Sequence, residues 1–253
     1  MPRKLGQHFL IGQSILEQIA EAACGQHASR VIEIGPGRGA LTAHLLPRTD
    51  ELHAIELDHS LGVYLQQRFA LEPKFVAHEA DVLETDLSQW GKAVICGNLP
   101  YYITSPIIRK FLELDARFGV GVFLLQREVA DRLTAKPKTR DYGLLTVMTQ
   151  LVCEVELVCH VPPSAFSPPP KVESAAVRLL RRSTQIENLA ELITFASRCF
   201  AQKRKMLRNN LRPFYGTAID AAPEANLRAE QLDVQAFSNL LTWLKSERSS
   251  KLQ

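Results

Sequence analysis

Asn98-Leu99-Pro100-Tyr101 directly follows the apolar run Ala93-Val94-Ile95-Cys96-Gly97. A strand that finishes on a carboxamide, a proline and an aromatic is suited to holding a flat base whose exocyclic amine must react. The Asn98 side-chain carbonyl can accept a hydrogen bond from an amino group. Pro100 fixes its own φ, donates nothing and biases Leu99 toward extended geometry. Tyr101 offers a stacking face worth roughly 1–3 kcal/mol per base. Taken alone, the tetrapeptide is equally an ordinary strand followed by a proline turn.

A second group of residues narrows the choice. Gly35-Pro36-Gly37-Arg38-Gly39 lies between a strand-like and a helix-like stretch, where glycines let a ligand approach the backbone closely. Glu56 follows Gly35 by 21 residues, at the end of the next apolar run, where a carboxylate can accept from ribose hydroxyls. Glycines and acid together are compatible with a dinucleotide and so with hydride transfer. Pro36, however, removes an N–H from the turn that would cradle pyrophosphate. Asp81, in Ala80-Asp81-Val82-Leu83, adds a second acid to the same rim. An acidic rim suits a cationic ligand without phosphates, and S-adenosylmethionine is a sulfonium carrying a ribose and an adenine. Glu56 would hold the ribose and Asp81 the adenine amine, although Asp81 also reads as a helix N-cap.

These residues need a sheet to bring them together. Strands are expected at Arg30–Ile34, Glu51–Leu57, Phe75–Ala80, Lys92–Gly97 and Phe118–Gln126, alternating with helical patterns. Ser14-Ile15-Leu16-Glu17 reads as a capping box opening the first helix. Alternation of this kind implies parallel pairing with both faces covered. Two further strands, Glu154–Val161 and Val172–Leu180, flank a proline-rich loop and suggest an antiparallel hairpin at the sheet edge. After Arg181-Arg182 only helical spacing remains. The expected division is therefore an α/β domain at 1–182 and a small helical domain at 183–253. Arg198, Lys203, Arg204, Lys205, Arg208 and Arg212 put six cations within fifteen residues and no acid among them. That clustering favours phosphate contacts, with Arg204, Arg208 and Arg212 as one helical stripe and Arg3 and Lys4 adding to the footprint.

Composition sets the outer limits. With 253 residues, 46% apolar and 23% charged, the chain suggests one or two soluble domains, and a net charge of +3 does not by itself call for nucleic acid. No apolar run is long enough to span a bilayer, and Met1–His8 has no hydrophobic leader segment, which reads as cytoplasmic. Five cysteines without a Cys-x-x-Cys read as reduced core residues, not as a disulfide frame or a metal site. No internal repeat is visible, and no exposed apolar repeat argues for an obligate oligomer, so a monomer is expected.

The chain resembles the class I methyltransferases and, more narrowly, the ribosomal RNA adenine dimethyltransferases of the small-subunit branch, over nearly its full length. The resemblance rests on Lys4–Leu10, Val31–Gly37, Ile55–Asp58, Gly97–Tyr101, Leu125–Val129, Pro162–Lys171 and Phe200–Met206, in that order. It implies a Rossmann-like methyltransferase sheet with a C-terminal helical domain. The implied activity is S-adenosylmethionine-dependent N6,N6-dimethylation of two adjacent adenosines in the 3'-terminal hairpin loop of 16S rRNA, within the pre-30S subunit. The family's cofactor contacts fall here on His8, Leu10, Gly35, Glu56, Asp81 and Asn98, with Gly37 in the same turn. Its target-base contacts fall on Asn98, Leu99, Pro100 and Tyr101, with Phe166 covering the other face of the base. Phe166 also reads as core packing in a rigid loop. His8 and Tyr102 depart from the family, which often has Asn at both positions. The alternatives are a methyltransferase for another RNA or for DNA, a ribosome-assembly factor whose binding outweighs its chemistry, and a NAD enzyme, which Pro36 and Asp81 disfavour.

Overall fold

Short runs rich in apolar and β-branched residues become strands, and the amphipathic stretches between them become helices that cover the sheet. In chain order the strands are β1 (Phe9–Leu10), β2 (Val31–Ile34), β3 (Leu52–Glu56), β4 (Phe75–Glu79), β5 (Val94–Asn98), β6 (Val120–Gln126), β7 (Cys153–Val161), β8 (Phe166–Ser167) and β9 (Ser174–Arg181). The helices are α1 (Gln13–Cys24), α2 (Ala40–Leu45), α3 (His59–Arg68), α4 (Thr104–Glu113), α5 (Arg127–Thr134), α6 (Leu144–Val152), α7 (Leu189–Cys199), α8 (Leu207–Tyr215) and α9 (Val234–Ser250). The computed structural model describes residues 8–25, 27–183 and 186–250. Arg3, Lys4 and the start of the Lys4–Leu10 segment lie outside the described residues.

Seven strands form one sheet in the order β4-β3-β2-β5-β6-β9-β7. β2 is parallel to β3 and β5, β3 to β4, and β5 to β6, while β9 runs antiparallel to β6. The sheet is thus mostly parallel with an antiparallel edge, as the sequence pattern predicts. β2 and β3 are buried along their whole length, which is why they read as unbroken apolar runs interrupted only by Glu33, His53 and Glu56. From β2 the chain winds outward through β3 and β4, then returns to the other side of β2 as β5 and β6. The carboxyl ends of β2 and β5 therefore meet where the winding reverses, the place at which open α/β sheets hold ligands. A separate two-stranded ladder joins β1 to β8, pairing Leu10 with Phe166.

Two compact units make up the chain: Met1–Ala130 with Glu154–Arg181, and Asp131–Cys153 with Arg182–Gln253. The expected division at 182/183 differs in its treatment of Asp131–Cys153, because the apolar α6 packs on α7 and α9. Four of the five cysteines, all but Cys159, are buried. Among the described residues no helix is long and apolar enough to cross a membrane.

Two local expectations are corrected. α1 begins at Gln13 behind Gly12, without a side-chain cap. The Ile11 and Gly12 N–H groups both donate to the Ala165 carbonyl, at 2.8 and 3.2 Å, and so set the helix start ahead of Ser14. Glu17 is then free to pair with His44 at 3.0 Å and with Arg48. The stripe of Arg204, Arg208 and Arg212 is also not one helix. The Leu207 N–H donates to the Leu227 carbonyl at 2.8 Å and Met206 bridges Arg228, so α8 starts at Leu207 and leaves Arg204 in the preceding turn.

Candidate active site

An open cleft of about 110 Å³ lies at the carboxyl ends of β2, β3 and β5 and takes in the loop after β4. Nine of the expected residues line it: His8, Gly35, Gly37, Glu56, Asp81, Asn98, Leu99, Pro100 and Tyr101. Most are delivered by the carboxyl ends of strands of the main sheet, while His8 comes from just before β1 in the separate ladder.

The floor is backbone. Gly37 has φ +58°, and a β-carbon there would stand 3.0 Å from the Phe9 ring, so only glycine keeps this turn low. Its N–H donates to Glu56 Oε2 at 3.0 Å, while the Asp58 N–H donates to Glu56 Oε1, also at 3.0 Å. Glu56 is thereby locked in place with a lone pair remaining on each oxygen. Burial pushes its carboxyl above the usual range, and the two N–H donors hold part of that rise back. Asp81 lies just past β4 and lines the cleft, and its Oδ1 accepts the Leu83 N–H at 2.8 Å across a turn, with no helix directly following for it to cap.

At the end of β5, Asn98 is oriented by a partner 90 residues away. Its Nδ2 donates to the His8 carbonyl at 3.1 Å, which leaves Oδ1 as the acceptor end of the carboxamide. His8 is held in turn, its Nδ1–H donating to the Pro168 carbonyl at 2.8 Å, and its ring lies 6.0 Å from that of Tyr101 at 27°. The next turn directs its own hydrogen bonds to the Pro100 carbonyl, from the Ile103 N–H at 3.1 Å and Thr104 Oγ1 at 3.2 Å. Tyr101 is pinned at its far end by Ser174, hydroxyl to hydroxyl at 2.6 Å, and burial raises its pKa, so the ring presents a neutral face.

Two expected residues do not reach the cleft wall. Leu10 and Phe166 face each other across the β1–β8 ladder, and both sit in the hydrophobic core, Phe166 only 3% exposed. Of the two readings open for Phe166, the structure displays core packing. Conversely, Leu57, 51% exposed, lines the cleft without having been singled out, and so does Tyr102, 61% exposed, which was singled out only as a departure from the family. Each directly follows a predicted one, Glu56 and Tyr101, and that adjacency was the available signal. Arg198, Lys203, Arg204, Lys205, Arg208 and Arg212 all belong to the second unit. Arg212 is held by Asp220 through two hydrogen bonds of 2.7 Å, and Arg198 stacks over Phe214 at 4.2 Å.

Beneath the glycine turn lies a group that the site's chemistry does not use. Glu33 is 1% exposed and accepts from Thr42 Oγ1 at 2.6 Å. Burial, aided by the Glu56 charge, moves its pKa from the ordinary 4.5 to about 8. The folded state therefore keeps this proton between about pH 4.5 and 8, where the unfolded chain has released it, and stability falls as pH rises through that window. Glu33→Gln removes this dependence. Measured by urea unfolding, the variant should gain on the parent between about pH 5 and 8 by on the order of 2–4 kcal/mol. A difference that did not change with pH would overturn the assignment.

The family profile described as Ribosomal RNA adenine dimethylase matches residues 1–245. A protein named Ribosomal RNA small subunit methyltransferase A from Picosynechococcus sp. is 41% identical over 267 residues, covering 96% of this chain and 95% of that one. The protein of the same name from Acidobacterium capsulatum is 42% identical over 251 residues, 94% of this chain and 89% of the other. Among solved structures, a dimethyladenosine transferase from Plasmodium falciparum superimposes with a TM-score of 0.83 at 28% identity, over 94% of this chain and 98% of that chain. The 23S rRNA methyltransferase ErmE does so with a TM-score of 0.71 at 30% identity, over 94% and 99%.

Proposed function

The chain belongs to the ribosomal RNA adenine dimethylase family, and we propose that within it the protein methylates two adjacent adenosines in the 3'-terminal hairpin loop of small-subunit rRNA, late in 30S assembly. The activity is rRNA adenine dimethylation on a class I methyltransferase fold. S-adenosylmethionine is the methyl donor in this reading, and it supplies an electrophilic methyl group on a sulfonium when bound. The residues present fit it: a glycine floor that a β-carbon would fill, a clamped carboxylate at Glu56 for ribose hydroxyls, and Asp81 on the same rim. The small-subunit target is supported by the names of the 41% and 42% identical relatives.

The observation that carries the mechanism is the fixed orientation of Asn98. An adenine amine is a poor nucleophile because its lone pair is conjugated into the ring. Hydrogen bonds from that amine to Asn98 Oδ1 and the Leu99 carbonyl turn the lone pair toward the methyl group. Tyr101 stacks on the base, and the amine's proton leaves after transfer, so no strong base is required. Catalysis is then positioning and electrostatics. The target base must leave its stack, at a cost of a few kcal/mol that is smallest in a hairpin loop. The cationic segment from Arg198 to Arg212 contacts the RNA backbone, and the protein acts as a cytoplasmic monomer.

The test is transfer of labelled methyl groups from S-adenosylmethionine to under-methylated small subunits, naked small-subunit RNA and large subunits in parallel. Label should enter the two small-subunit adenosines, each doubly methylated, and leave large subunits blank. Preferential labelling of large subunits would overturn the assigned target.

A further inference from the structure

The second unit holds a cationic loop that the reading above leaves unused. Lys136-Pro137-Lys138-Thr139-Arg140 follows α5, and its three cations are exposed at alternate positions. The loop is not slack. The Lys138 N–H donates to the Glu230 carbonyl at 2.8 Å, Thr139 Oγ1 to the Lys136 carbonyl at 2.7 Å, and Gln150 Nε2 to the Ala135 carbonyl at 3.0 Å. Lys203 Nζ donates to the Arg140 carbonyl at 3.0 Å, which ties this loop to the turn carrying Arg204 and Lys205.

Two features mark these cations as kept for a partner. First, Lys138 has φ +68°, in the left-handed region that disfavours any residue with a β-carbon. Glycine would hold the same turn without strain, but only lysine brings a charge. Second, the side chains of Lys136, Lys138, Arg140, Arg204 and Lys205 form no ion pair with any described residue, although Asp141 is adjacent in sequence and Glu230 holds the loop through its carbonyl. Several cations elsewhere are matched: Arg212 with Asp220, Arg117 with Asp115, Arg48 with Glu17 and Glu21.

We propose that Lys136, Lys138 and Arg140 form a second phosphate-binding arm, which with Arg204 and Lys205 grips the backbone of the RNA substrate. The inference rests on the rRNA reading above. A pinned main chain carrying long cationic side chains suits a repeating row of phosphates, contacted without regard to base sequence.

The test measures binding of the full-length protein to a small-subunit rRNA transcript between about 50 and 200 mM salt. Lys136→Gln, Lys138→Gln and Arg140→Gln combined should reduce the slope of log affinity against log salt by about 2–3, since each lost phosphate contact removes a little under one. Lys138→Gly alone should melt no lower than the parent yet reduce the slope by about 1, separating charge from folding. If the parent methylates small subunits and the triple variant keeps the parental slope, this inference fails and the functional reading stands. If the parent binds no rRNA, the functional reading itself fails.

Discussion

Asn98→Ala is expected to slow methyl transfer to rRNA by about 10²–10³-fold, the range found when one preorganised hydrogen-bonding group is removed from a reaction centre. The loss should appear in kcat, because the Asn98 Oδ1 contact strengthens as positive charge develops on the attacking nitrogen. Affinity for S-adenosylmethionine should change by less than about tenfold, the equivalent of one neutral hydrogen bond. Asn98→Asp makes the argument sharper. It restores an acceptor, but its carboxylate cannot donate to the His8 carbonyl, which Asn98 Nδ2 now approaches at 3.1 Å. Two oxygens facing one another would turn the side chain away, so this variant should also be slow. Single-turnover methylation of under-methylated small subunits measures both variants. An alanine variant that transferred at nearly the parental rate would remove Asn98 from the mechanism.

The sheet was legible because its central strands are buried on both faces and so read as plain apolar runs. Parallel pairing followed from the helices between them, and the cleft from the residue types at the strand ends. Asn98, Glu56 and Asp81 each sit at or just past a strand terminus, where a local motif suffices to place them. What stayed hidden depends on contacts between distant segments. Nothing around Asn98 announces that its amide is oriented by the His8 carbonyl, 90 residues away. Phe166 and Leu10 bury one another because β1 pairs with β8, a two-residue ladder with no pattern of its own. The basic stripe failed as a single helix because the pairing of Met206 with Arg228 stops α8 at Leu207. Asp131–Cys153 groups with the C-terminal residues through the apolar face of α6, which periodicity detects without naming its partner.

Gly97→Ala tests whether the sheet, and not the loop, sets the position of Asn98. Gly97 lies on β5 between Ile34 of β2 and Phe123 of β6. A β-carbon there would fall 2.1 Å from the Ile34 carbonyl oxygen and 3.1 Å from the Ile34 nitrogen. Gly97 is not among the positive-φ glycines, so what the position demands is space. Backbone cannot change rotamer, so the two parallel strands would have to part at the point where they deliver Gly35 and Asn98 to the cleft. The expected cost is about 3 kcal/mol or more, at the upper end of overpacking, and any folded fraction should be catalytically weak. Gly62→Ala provides the contrast. On α3 nothing lies within 4 Å of the added carbon, and a helical alanine there should stabilise by roughly 0.5–1 kcal/mol. The same methyl group therefore acts with opposite sign at two buried positions. Urea unfolding reads both values. A Gly97 variant within about 1 kcal/mol of the parent would mean that β2 and β5 separate easily, and that the cleft does not depend on their contact.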